Sequence, residues 1–206
     1  RTLPLAIEPW GLAALPDGRL CIAGNDGIGY VSADTGETVG DQANNYAEVQ
    51  TFDVIAAQGG ALFASSWYAL DASSVVKLSQ TGTVLARSPE DVAVAPYGLA
   101  LDSNHLFVAS RDRILALDPD NLEQLHSSGE GLLKEAADCA VCGGELFVAD
   151  ASKPGQLQVF GLDCSLRRTV RGNFYRPASL VGHEGRLYLL EAEVFDWDLD
   201  YYEHAC

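Results

Sequence analysis

The chain has 206 residues, 48% of them hydrophobic and 20% charged, which is enough for one domain with a buried core and excludes a disordered polypeptide. Lys and Arg number 13 against 29 Asp and Glu, a formal net charge of -16, and this argues against nucleic acid and anionic membrane surfaces as partners, since both need a basic footprint. No apolar run approaches the ~20 residues of a membrane span, so membrane insertion is not expected either.

Met is absent and the chain begins at Arg1, which suits a processed chain or an excised piece and leans towards a secreted or organelle-lumen protein after loss of a targeting segment. The first element, Thr2–Ile7, reads as a strand, and Pro4 suits it to an outer edge. A repeat then begins: a short apolar run, a tight polar turn, and Leu opening a second apolar run. It occurs as Trp10-Gly11-Leu12-Ala13 with Leu20-Cys21-Ile22-Ala23, as Phe52-Asp53-Val54-Ile55 with Leu62-Phe63-Ala64, and as Tyr97-Gly98-Leu99-Ala100 with Leu106-Phe107-Val108-Ala109. It returns as Ala137-Asp138-Cys139-Ala140 with Leu146-Phe147-Val148-Ala149, and as Pro177-Ala178-Ser179-Leu180 with Leu187-Tyr188-Leu189-Leu190.

The anchor leucines Leu20, Leu62, Leu106, Leu146 and Leu187 stand 40–44 residues apart. A period of ~40–45 residues with several short strands per unit is the pattern of a β-propeller. Apolar runs this short, broken by Gly, Asp and Asn turns, exclude helical repeats. A third strand follows in each unit, at Gly29–Ser32, Val75–Leu78, Ile114–Leu117 and Leu157–Phe160, and a polar fourth begins near Thr38, Val84, Glu123 and Arg168. The fifth unit stops after its third strand, Val194–Leu199, and Thr2–Ile7 is available to complete it. The expectation is one all-β domain over residues 1–206, a five-bladed propeller of four-stranded blades closed by pairing the chain ends, which removes exposed edges. The alternative is a six-bladed propeller truncated by one blade.

The wording Pro96-Tyr97-Gly98-Leu99-Ala100 with Leu106-Phe107-Val108-Ala109, and Leu146-Phe147-Val148-Ala149-Asp150, resembles the NHL family of β-propellers. The resemblance implies a propeller and a function among scaffolds and ligand binders. Similar six-bladed folds include lactonases, an amidating lyase and strictosidine synthase-like enzymes, so fold alone does not choose an activity.

Aligned on the repeat, Gly11, Asp53, Gly98, Asp138 and Ala178 share one column at the start of the inner strands, preceded by Trp10, Phe52, Tyr97, Ala137 and Pro177. Trp10, Phe52, Asp53, Tyr97 and Asp138 are therefore the candidate ligand-binding residues at the mouth of a central channel, where aromatics and carboxylates suit a cation or a ligand with an apolar face. The other reading is that the aromatics plug the channel and the acids cap loop amides. A second acidic set, Asp26, Asp112, Asp150, Glu191 and Glu193, follows the second strands and reads as turn residues and a solvated rim rather than a calcium site. Asp196-Trp197-Asp198-Leu199-Asp200 lacks the glycine of a calcium loop and is better explained by strand alternation.

His105, His126, His183 and His204 show no metal-ligand spacing, and Glu8-Pro9-Trp10 is a partial echo of the metal-binding opening of the lactonases. Cys139 and Cys142 lack a second pair for structural zinc, a bridge between Cys142 and Cys164 is left open, and the odd count of five leaves a thiol over. These residues point to a rigid, non-catalytic binding or scaffold module within a larger assembly, with no cofactor and no metal. The alternative is a small metal-dependent hydrolase using Asp53, Asp138 and Glu8. Phe195, Trp197, Tyr201 and Tyr202, set among acids from Glu191 to Glu203 with no Lys or Arg, are the expected surface for a protein partner with a basic face.

Overall fold

The structure is a computed structural model that describes residues 9–24, 27–39, 51–56, 61–66, 74–80, 82–89, 92–93 and 95–191. Its described elements are all strands, in five antiparallel sheets that follow the repeat. The first holds β1 (Pro9–Ala14), β2 (Arg19–Gly24) and β3 (Gly27–Ser32), and an isolated bridge joins Val31 to Thr38, near which a polar fourth strand is expected from the sequence; residues 40–50 lie outside the described ones. The second holds β4 (Thr51–Ala56), β5 (Leu62–Ser66), β6 (Ser74–Leu78) and β7 (Val84–Arg87). The third holds β8 (Pro96–Leu101), β9 (Leu106–Ser110), β10 (Arg113–Leu117) and β11 (Gln124–Ser128). The fourth holds β12 (Ala136–Cys142), β13 (Glu145–Asp150), β14 (Gln156–Phe160) and β15 (Leu166–Arg171), and the fifth holds β16 (Pro177–His183) and β17 (Arg186–Glu191).

The meander within each sheet comes from tight turns. Gly143 and Gly144 join β12 to β13, and Glu184 and Gly185 join β16 to β17; all four have positive φ, the conformation a two-residue hairpin requires for its twist to match the strands. The inner strands pack in chain order, β1 on β4, β4 on β8, β8 on β12 and β12 on β16.

The core is therefore a series of seams between sheets. Ala13, Cys21 and Tyr30 meet Leu62, Val76 and Leu78 in the first seam. Phe63 and Val75 meet Leu99, Leu106, Val108 and Leu115 in the second. Phe107, Ala109 and Ile114 meet Cys139, Leu146, Val148 and Phe160 in the third, and Ala140 and Ala149 meet Leu180, Leu187 and Leu189 in the fourth. Small inner-strand residues such as Ala100 and Ala140 let the sheets converge, while the outer strands β7, β11 and β15 are largely exposed, β11 and β15 mostly polar and β7 mostly apolar. The strands expected at Thr2–Ile7 and Val194–Leu199 lie outside the described residues, as does the closure they would make. No helix of the described residues is long and apolar enough to cross a membrane.

Candidate functional site

Each inner strand opens with an irregularity in register: between Pro9 and Gly11, Thr51 and Asp53, Pro96 and Leu99, Ala136 and Asp138, and Pro177 and Ser179. A bulge of this kind bends the strand and re-aims its side chains, and it recurs where the aromatic column was placed by sequence. Past the bulge, Gly11 pairs with Ala23, Asp53 with Ser65 and Asp138 with Ala149. In the fifth sheet the residue at this position is Ser179, paired with Leu190, so the column runs through Ser179 and not Ala178, and Ala178 replaces Pro177 before it. The cause is that the hairpin turn, not the proline, sets the register: Asp138 stands five residues before Gly143, as Ser179 does before Glu184.

Trp10 is exposed at the start of β1, and Tyr97 is half-buried on β8. The Tyr97 carbonyl accepts a hydrogen bond from the Ser65 hydroxyl at 2.6 Å, tying the second sheet to the third. Phe52 and Asp53 lie on β4, and their side chains fall outside the description. Phe195, Trp197, Tyr201, Tyr202 and Glu8 lie outside the described residues altogether.

Asp138 is the best-defined acid of the column. Its side chain is buried between three sheets. On one side it lies against Gly98 of β8, where an added Cβ would overlap the Asp138 carboxylate. On the other it reaches β16: Oδ2 accepts from the Leu180 N–H at 2.7 Å and from the Ser179 hydroxyl at 2.9 Å. Oδ1 accepts from the Cys139 N–H at 2.7 Å. Both oxygens are thus engaged by donors of the framework. Burial pushes the carboxyl up to about 6, against the pull of the Leu180, Ser179 and Cys139 donors in the opposite direction. Ser179 and Gly98 were not singled out by sequence reasoning; the available signal was the alternation Gly11, Asp53, Gly98, Asp138, in which each acid follows a glycine one repeat earlier.

Of the second acidic set, Asp26 and Glu193 lie outside the described residues, and Asp112, Asp150 and Glu191 are held by donors of the framework. Asp150 is fully buried; its Oδ1 accepts from the Glu135 and Ser152 N–H groups at 3.2 Å and its Oδ2 from Gln156 Nε2 at 3.1 Å. Asp112 pairs with Arg113 at 3.1 Å, and Glu191 accepts from the Tyr175 N–H at 2.8 Å. Asp102 caps the β8–β9 turn through the N–H groups of Asn104 and His105, with the His105 ring beside it. Among the described residues no three His, Cys, Asp or Glu converge as metal ligands. Cys142 and Cys164 are unbridged: Cys164 is buried in the third seam, whereas Cys142 is partly exposed. Burial pushes the Cys21 thiol up to about 12 and the Cys164 thiol up to about 11, so neither is a nucleophile at neutral pH.

The chain matches no protein-family profile and no curated protein sequence. Its fold is well represented among solved structures. It is similar to a protein of unknown function from Bacteroides caccae, with 16% identity and a TM-score of 0.72, over 98% of this chain and 77% of that one. It is similar to the calcium-binding protein regucalcin from Agrobacterium tumefaciens, with 14% identity and a TM-score of 0.73, over 97% of this chain and 74% of the other. A gluconolactonase from Xanthomonas campestris matches with 18% identity and a TM-score of 0.65, over 88% of this chain and 68% of its own. At these identities the likeness speaks to the fold alone, and with the antiparallel sheets packed in chain order it makes the chain a β-propeller.

Proposed function

We propose that the chain is a rigid, non-catalytic propeller module of the NHL kind, binding a ligand or protein partner as part of a larger assembly. The observation that supports this reading is the commitment of Asp138. A catalytic or metal-binding carboxylate needs a lone pair aimed at its substrate or ion. Asp138 instead accepts three hydrogen bonds from the framework, two of them across the seam to Ser179 and Leu180. The bulged openings of the inner strands, carrying Trp10, Phe52 and Tyr97, are the proposed ligand end. The acidic, aromatic segment with Phe195, Trp197, Tyr201 and Tyr202 is the proposed contact for a basic partner, with the net charge of -16 supplying steering.

The competing reading is a metal-dependent hydrolase built on Asp53, Asp138 and Glu8, in the manner that similarity to regucalcin and a gluconolactonase invites. Thermal unfolding of metal-free protein with added Ca²⁺, Zn²⁺ or Mn²⁺ separates the two. A resident metal would stabilise by ~2.7 kcal/mol at a hundredfold excess over its dissociation constant. The expected result is no shift and no gluconolactone hydrolysis. A chelator-reversible shift that Asp53→Asn with Asp138→Asn abolishes would overturn the scaffold reading.

A further inference from the structure

In a chain with 13 Lys and Arg against 29 Asp and Glu, carboxylates are plentiful, yet four exposed cations are left without one. Arg111, Lys134, Lys153 and Arg171 make no ion pair among the described residues. They share one end of the third and fourth sheets. Successive strands alternate in direction, so the β9–β10, β11–β12, β13–β14 and β15–β16 connections all emerge where the inner strands begin. These loops are tied to one another. The Ala136 N–H donates to the Arg111 carbonyl at 2.6 Å and the Ala151 N–H to the Glu135 carbonyl at 2.8 Å. Arg176 reaches Glu135 at 3.2 Å, and Gly155 lies against Phe174 and Pro177. The acids of the same loops are spent internally: Asp112 and Glu130 on Arg113, Glu135 on Arg176, and Asp150 on backbone N–H groups. Two apolar side chains stand among the cations, Tyr175 at 60% exposure and Leu132 at 42%. Tyr175 is held outward by its surroundings. Phe174 before it packs into the fourth seam, Arg176 after it is paired, and its own N–H donates to Glu191 at 2.8 Å.

We propose that this surface, Tyr175 and Leu132 set among Arg111, Lys134, Lys153 and Arg171, docks an acidic segment of a partner protein that carries an apolar side chain among its Asp and Glu. The inference rests on the reading of the chain as a binding module and supplies the chemistry of one partner. Charge selects the class. Cations distributed over four loops match several carboxylates along an extended stretch, where one compact anion would meet only one of them. A nucleic acid fits less well, because its continuous phosphates would meet the net charge of -16 that the rest of the chain carries. The division of labour is the usual one at interfaces: the aromatic and the leucine supply affinity, and the cations supply steering and orientation. An aromatic already fixed on anchored backbone also loses little freedom when it is covered.

The probe is a fluorescein-labelled peptide of three Glu-Asp-Glu-Phe repeats, titrated with the intact 206-residue chain at low salt and followed by anisotropy. Saturable binding is expected. It should weaken by about tenfold or more when Arg111→Glu, Lys134→Glu and Arg171→Glu are combined, and by a similar factor in Tyr175→Ala. These side chains are exposed, so the urea midpoints should match that of the parent; if the triple reversal unfolds the chain, Tyr175→Ala carries the test alone. Arg186→Glu makes the same kind of charge change at the opposite end, in the β16–β17 hairpin, and should leave binding intact. No saturable binding, or equal weakening by Arg186→Glu, refutes the proposal. Three other occupants would overturn it as well. Heparin bound more tightly than the peptide, and indifferent to Tyr175→Ala, gives the surface to a polyanion. A dimer in sedimentation that the triple reversal dissociates gives it to a second copy. Peptide binding that rises about tenfold when Glu193, Asp196, Asp198 and Asp200 are changed to Gln or Asn gives it to the chain's own acidic segment. The outcome is separable from that of the metal titration above. Loss of peptide binding with no metal shift removes this surface alone, whereas a chelator-reversible metal shift overturns the scaffold reading whatever the peptide does.

Discussion

Removing the Asp138 carboxylate tests the claim that this acid stitches sheets together. In Asp138→Ala the N–H groups of Cys139 and Leu180 lose their acceptor, and the Ser179 hydroxyl loses its partner. A buried donor left without an acceptor costs about 1–3 kcal/mol, so two backbone donors together cost roughly 2–6 kcal/mol at pH 7. For a domain of this size that lowers the melting temperature by roughly 4–24 °C. Asp138→Asn keeps one acceptor oxygen and should lose less. A pH series adds a second reading. The folded-state carboxyl lies near 6, above its ordinary value of 3.8, so the folded chain holds this proton more tightly than the unfolded one. Its contribution is then fully present below about 4 and is lost as pH rises through about 6, a span worth about 3 kcal/mol. The gap between parent and Asp138→Ala should therefore widen as pH falls from 7 to 5. Urea midpoints by circular dichroism at the two pH values measure both effects. An Asp138→Ala protein within a degree of the parent, or a gap that does not move with pH, refutes the reasoning.

Gly98→Ala should destabilise by about 1–3 kcal/mol, because the new Cβ overlaps both the carboxylate and the backbone of Asp138; a neutral result in chemical denaturation would show that the two sheets can part there. Glu184 occupies the left-handed region at φ 48, so Glu184→Asn should raise the unfolding free energy by about 0.5–1 kcal/mol, read by urea denaturation, and a loss of stability would contradict the turn type. In native protein a maleimide should label Cys142 well before Cys21, Cys139 and Cys164, which become reactive on unfolding; equal rates read by mass spectrometry would contradict their burial. If a basic partner co-purifies with the native chain, Trp197→Ala with Tyr201→Ala should release it, and undiminished binding by the folded variant would remove that surface from consideration.

Much of the fold could be read because the period depends on residues with no substitute. A leucine first or second in the second strand of every unit, and turns that need Gly, Asp or Asn, place all five hairpins before any contact is known. The fifth unit slipped by one residue for a physical reason. Pro177-Ala178-Ser179-Leu180 imitates the repeat's spelling, but Ser179 stands eight residues before Leu187, as Asp138 stands eight before Leu146, so Pro177 falls level with Ala136 and not with Ala137. The bulges that open the inner strands leave no mark of their own in sequence, and they made the fate of Asp138 illegible. Whether an acid at the mouth of a strand faces a channel or a seam depends on a local rotation that composition does not report. Leu12 presents the parallel difficulty: it reads like Leu99, yet it is exposed where Leu99 is buried.

Asp138 and Leu12 occupy neighbouring columns of one repeat, and together they show how function and assembly share this architecture. The column of Gly11, Asp53, Gly98, Asp138 and Ser179 lies at the end of the inner strands where propellers can present ligands, yet in the fourth sheet it is spent on holding sheets together. A buried carboxylate with three donors is costly to desolvate and costlier to disrupt, so it favours one spacing between the third, fourth and fifth sheets. Apolar seams alone specify that spacing poorly, because alanines and leucines tolerate small slides. A glycine in one sheet and an acid in the next therefore act as a registration device. By position, Asp53 stands to Gly11 as Asp138 stands to Gly98. If the device is general, Gly11→Ala should cost the first seam what Gly98→Ala costs the third, while Leu12→Lys, one residue away but facing outward, should cost nothing. Stability measured on that adjacent pair separates a residue that registers sheets from one that faces outward.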